Sequence, residues 1–159
     1  MKRTAQFLCG ALLLLQHSLF AATTATATVT YTIGSIDAIT VSGNPGPLNV
    51  TTATAGSAPT SATDNTTTYA VTTNNTARRV TGSVATTMPT GTTLSVNLAA
   101  PTGATSAGAV SLTTTAASLV TAIANLAQAS LTITYTLTAT VSAAQVAGAT
   151  NTVTYTVGP

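Results

Sequence analysis

The chain predicts an all-β fold, a single antiparallel β-sandwich spanning residues 22–159. Three observations lead there. Apolar residues alternate with threonine in stretch after stretch, a period of two that sends one side of an extended strand inward and the other outward. These stretches are short and are separated by Gly, Pro and Asn clusters, the pattern of a sandwich or barrel. Threonine supplies 40 of the 159 residues and alanine 30, and β-branched threonine suits the pleated, solvated face of a sheet. A disordered, glycosylated Ser/Thr stalk would have no need of this period.

The amino terminus comes first. Met1, Lys2 and Arg3 form a short positive region, residues 7–15 an apolar one, and Leu19-Phe20-Ala21 a cleavage site with a small last residue. Residues 1–21 therefore read as a secretory signal peptide, cleaved after Ala21 or, alternatively, after Ala22. Its nine apolar residues fall well short of the roughly 20 needed to cross a bilayer as a helix, so no membrane span is expected after cleavage. Cys9 precedes most of the apolar region and is expected to leave with the leader.

From Ala25 to Ile33 every odd position is apolar (Ala25, Ala27, Val29, Tyr31, Ile33) and every even one is Thr, which predicts the first strand. The same reading places strands at 39–42, 48–52, 68–73, 79–85, 92–99, 109–113, 131–141 and 152–157. Turn chemistry falls between them at 43–47, 74–75, 89–91, 101–103 and 148–151. One segment is ambiguous. Ala116, Leu119, Val120, Ile123, Leu126 and Ala127 have helical spacing, so 116–127 is either a short helix or an edge strand over 119–123 followed by a loop through Gln128.

Charge and composition bound the function. The formal net charge of +2 belongs to the whole chain. Without the leader, the charged residues are Asp37, Asp64, Arg78 and Arg79 and the net charge is zero, so no basic footprint for nucleic acid remains. Residues 22–159 contain no Lys, Glu, His, Cys, Trp or Phe. No disulfide can staple the fold, and stability must come from packing and strand pairing. A neutral surface also favours association.

The same scarcity excludes most chemistry. Ser or Thr nucleophiles need an adjacent base, and zinc wants Cys or His; both are missing from residues 22–159. No catalytic, cofactor-binding or metal-ligating residue is therefore assigned. Asp37 and Asp64 are the sole carboxylates for a glycosidase-type pair, and their flanks, SIDAI and ATDNT, are those of ordinary turns. Asp64-Asn65, with a neighbouring loop and Asp37, would make at most a weak calcium site. Arg78-Arg79 reads as a solvated strand end, with an alternative of pairing to Asp37 or Asp64 across an interface, and it is the sole trypsin site in residues 22–159. Tyr31, Tyr135 and Tyr155 share the apolar register of their strands and are expected in the core or at its rim. Tyr69 is expected to be exposed. Sequons at Asn49, Asn65 and Asn74 permit glycosylation.

One repetition stands out. TVTYTIG at 28–34 returns as TVTYTVG at 152–158, with a third version, TITYTL, at 132–137. Either similar side chains recur wherever a strand covers half a core, or the first strand pairs beside the last, within the chain or across a subunit boundary where it completes a neighbour's sheet. The chain also lacks the Lys with which soluble proteins guard exposed sheet edges.

The leader, the Ala/Thr/Val composition, the alternating stretch at 25–33 and the terminal TVTYTVGP together resemble small exported bacterial β-sandwich proteins of the pilin and spore-coat type. The resemblance implies an immunoglobulin-like or pilin-like sandwich and assembly by donated strands. It carries no functional residue, and the chain departs from the common pilin pattern in lacking a cysteine pair and in ending with Gly158-Pro159. The expectation is an exported structural subunit of an extracellular or cell-surface assembly, periplasmic residence being the variant. Its partners would be copies of itself or other cell-surface proteins, with an adhesive or glycan-binding module as the alternative.

Overall fold

The computed structural model describes residues 24–159. The expected leader, its expected cleavage site and Cys9 lie outside the described residues. The chain divides into two units, Met1–Ile33 and Gly34–Pro159.

In the first unit, residues 24–33 form neither strand nor helix and are exposed throughout. The strand expected at 25–33 is therefore not formed, and Val29, Tyr31 and Ile33 are 77%, 80% and 77% exposed. Tyr31 is correspondingly not a core or rim residue. Alternation states which face a strand would bury. It does not supply the neighbouring N–H and C=O groups that an extended backbone needs to become one.

The second unit is an all-β sandwich of two antiparallel sheets. Its strands are β1 (Asp37–Val41), β2 (Ala62–Thr73), β3 (Arg78–Val84), β4 (Thr92–Leu98), β5 (Thr105–Ser106), β6 (Val110–Ser111), β7 (Ala117–Ile123), β8 (Leu126–Ala139) and β9 (Val153–Gly158). One sheet has the order β1-β2-β8-β4-β6 and the other β5-β7-β3-β9. After β2, every connection passes from one sheet to the other, so nearly all pairing joins residues distant in sequence. The strand expected at 48–52 is irregular, and just beyond it an isolated bridge joins Ala53 to Pro59; the prolines around it disfavour a continuous ladder.

Alternation builds the core. Along β2, Thr67, Tyr69, Val71 and Thr73 turn inward, and along β8 Leu131, Ile133 and Tyr135 do so. They meet Val80, Leu119, Val120 and Ile123 of the opposite sheet, all four fully buried. Each large aliphatic side chain buried this way stabilises by about 1.5–3 kcal/mol, which is how a sandwich with no cysteine among residues 34–159 holds its two sheets together.

The ambiguous segment 116–127 is a strand, and no helix occurs among the described residues. Two irregularities explain its helical spacing. Between Val80↔Val120 and Thr81↔Ser118, Leu119 is an extra residue without a partner; between Arg78↔Ile123 and Val80↔Val120, two residues of β7 oppose the single Arg79. The bulges turn Leu119, Val120 and Ile123 inward together, imitating a helix's i, i+1, i+4 pattern. Ala122 takes up the second bulge in the left-handed region at φ 60. Leu119 enters over Gly82, where a Cβ would lie 2.6 Å from its Cδ1. Only glycine leaves that space.

Candidate functional site: the open sheet edge

A sandwich has four sheet edges, and they differ here. On one side they are β6 and β5, two residues each, tied to the rest by Ser106, whose hydroxyl donates to the Leu98 carbonyl at 2.7 Å. Such short edges offer little to pair with. The other side is bordered by β1 and β9, which lie near each other but belong to different sheets.

Among the described residues, β9 is hydrogen-bonded along one flank only, to β3. The Ala85 amide donates to the Thr152 carbonyl at 2.9 Å, which sets the phase of the ladder. Thr154 and Thr156 then point their backbone groups at β3, and Val153, Tyr155 and Val157 point theirs at the open flank. The same three residues are half-buried and pack against the core. β9 contains no charged residue and no proline before Pro159. Its open flank is a row of donors and acceptors beside a partly covered apolar face.

Tyr155 anchors this strand. Its hydroxyl donates to that of Tyr135 at 3.0 Å, and burial, followed by the Tyr135 contact, pushes its pKa above the usual phenol range. Burial also raises Tyr135. Tyr69, expected at the surface, is 2% exposed; its hydroxyl donates to the Ala99 carbonyl at 2.6 Å, and burial moves its pKa to about 12. It shares the inward register of Val71, two residues along the same strand.

A polar clamp holds the start of β1 against the turn between β2 and β3. Asp37 accepts from the Thr73 hydroxyl at 2.6 Å, and its other oxygen lies 3.0 Å from Arg78 Nε. The Thr73 hydroxyl first, then Asn75 and Arg78, hold the Asp37 carboxyl below its usual value against an opposing desolvation. Asn74 accepts from the Ile36 amide at 2.8 Å and donates to the Gly34 carbonyl at 2.8 Å. The residues from Gly34 onward are thereby fixed to the sandwich. Arg78 is thus an intrachain ion-pair partner rather than a solvated strand end. Arg79 donates to the Pro159 carbonyl at 2.6 Å.

The remaining candidates do not converge. Asp64 accepts from the amide and hydroxyl of Thr66 at 3.2 Å and 3.0 Å, an ordinary Asx turn. Asp37 pairs opposite Thr73, nine residues along β2 from Asp64, or about 30 Å at strand rise. A carboxylate pair for glycoside chemistry needs under about 10 Å. Among the described residues no group of three or more His, Cys, Asp or Glu side chains comes together. Two surface depressions, one beside Ile36 and Leu126 and one beside Met88 and Leu112, have no ionisable side chain in their walls. Sequon residues Asn65 and Asn74 are exposed. No helix among the described residues is long and apolar enough to cross a membrane.

No protein-family model, curated protein or solved structure matches the chain.

Proposed function

We propose that this chain is an exported, non-catalytic structural subunit of an extracellular or cell-surface assembly (a fibre, pilus or coat) whose copies associate through sheet edges. The observation that carries this reading is the unguarded flank of β9. Soluble proteins blunt a long free edge with Lys, Pro or a bulge, and β9 has none of these along its length. The near-absence of charge removes the repulsion that would keep copies apart. The leader-like residues 1–21 support export.

The test is sedimentation of the protein purified from the exported fraction, across a concentration series, with negative-stain microscopy of the fast-sedimenting material. A structural subunit forms polymers or fibres as concentration rises. A chain that stays monomeric and retains a glycan or other ligand is an adhesive module instead.

A further inference from the structure

We infer that residues 29–33 of one copy add as an antiparallel strand to the open flank of β9 in a second copy, with Tyr31 opposite Tyr155. This rests on the proposed role as an assembly subunit and names the donor, the acceptor and the register.

The donor is identified by exposure and by sequence together. Val29, Tyr31 and Ile33 present three large apolar side chains on one face, each more than three-quarters exposed. Residues 28–34 match residues 152–158 at six of seven positions, Ile33 standing where Val157 stands. The second version shows what the pattern does when it has a neighbour: as β9 it lies in a sheet with its Val and Tyr side chains on the core and its threonines outward. Residues 28–34 carry the same instructions, and residues 24–33 form no strand.

The acceptor follows from the ladder. Val153, Tyr155 and Val157 each turn an N–H and a C=O to the open flank. An antiparallel strand satisfies them only if its own outward-bonding residues stand opposite. Placing Val29, Tyr31 and Ile33 opposite Val157, Tyr155 and Val153 meets that condition. It also puts the apolar side chains of both strands on the same face, over the half-buried rim of the core, and the threonines of both on the solvent face. A one-residue slip would send Tyr31 to the solvent side. β1 is a poorer acceptor, because it is five residues long and begins at the clamped Asp37, and two prolines follow it within the next six residues, at Pro45 and Pro47. Since one copy offers both a donor and an acceptor, the contact is head-to-tail and propagates.

The register makes a specific prediction. Thr30 and Thr156 become a non-hydrogen-bonded pair, whose Cα atoms come within about 4.5 Å, inside the Cα separation that a disulfide spans. Two variants, Thr30→Cys and Thr156→Cys, are purified separately from the exported fraction, mixed and oxidised. The expected result is a disulfide-linked heterodimer on a non-reducing gel. It should be absent when Thr30→Cys is mixed with Thr40→Cys on β1, and absent when the donor also carries Val29→Asp and Ile33→Asp. These aspartates lie outside the Gly34–Pro159 unit, and an unchanged far-ultraviolet circular dichroism spectrum checks that the sandwich remains folded. The Asp variant should also lose at least tenfold in sedimenting polymer. If the Asp variant polymerises like the wild type, or Thr30→Cys links to Thr40→Cys, the inference is wrong while the assembly reading stands. If the wild type never assembles, both fall.

Discussion

Residues 28–34 and β9 say nearly the same thing and have opposite fates. In β9, Val153, Tyr155 and Val157 are half-buried, paired along β3 and fixed by the Tyr155–Tyr135 hydroxyl contact. In the amino-terminal version, Val29, Tyr31 and Ile33 are exposed and form no strand. Side-chain pattern is common to both, so pattern alone does not make a strand. The deciding factor is a neighbour with free backbone groups, which β3 supplies to β9.

The largest effect that should separate the two versions comes from truncating the tyrosine in each. Tyr155→Ala removes a packed ring and the Tyr135 contact, and should cost about 2–4 kcal/mol; Tyr31→Ala should change the stability of the monomer by less than about 0.5 kcal/mol. Urea denaturation of both variants at low concentration decides this. Equal losses would mean that the two tyrosines are equally packed.

The berth of β9 can be disturbed from the other side. Gly82 pairs opposite Tyr155, and its missing side chain leaves room for Leu119. Gly82→Ala should therefore destabilise by about 1–3 kcal/mol through overpacking, measured by the same denaturation. A neutral result would show that Leu119 moves aside freely.

Alkali should tell buried tyrosines apart from exposed ones. Burial holds Tyr69 to about 12 and raises Tyr135 and Tyr155, so the folded state binds their protons more tightly than the unfolded chain does. That contribution is complete below pH 10, the ordinary phenol value, and is lost as pH rises above it. Stability should fall steeply between about pH 10 and 12, with the absorbance change of tyrosinate formation coinciding with loss of the β-sheet spectrum. Full ionisation with the sheets intact would contradict the packing described here.

The smallest expected effect concerns threonine on its unusual side. Thr67 is buried and its hydroxyl has no partner among the described residues, whereas Thr154 and Thr156 face solvent. Thr67→Val should raise stability by about 1 kcal/mol, because an unsatisfied buried hydroxyl is removed at nearly constant shape. Thr154→Val should leave it nearly unchanged.

Much of this molecule is legible in its sequence. The two-residue period and the Gly/Pro/Asn turns locate β3, β4 and β9 to within a residue and the later parts of β2 and β8, because these stretches bury one face and solvate the other; the first six residues of β2 and the first five of β8, where the burial alternation is broken, are missed. Where the period breaks, so does the reading. The bulges in β7 make a strand look helical, and a threonine-rich context makes Tyr69 look exposed although it follows Val71 inward. The clamp of Asp37 with Arg78 joins residues 41 apart, and no local signal announces it. The stretch at 25–33 reads as a strand because its alternation matches that of β9, yet it forms none: the pattern says which face a strand would bury and nothing of whether a neighbour is there. The unguarded flank of β9 is half legible, since the sequence shows a strand without Lys or Pro but not which strands end up at edges.

The most direct measurement is residue-resolved amide hydrogen exchange on 28–34 and 152–158, made in dilute solution and again after assembly. At low concentration the amides of Thr154 and Thr156 should be protected by β3 while those of residues 28–34 exchange freely, and on assembly the amides of Val29, Tyr31 and Ile33 should slow together with those of Val153, Tyr155 and Val157. Protection of residues 28–34 in the dilute monomer, equal to that of β9, would contradict the account.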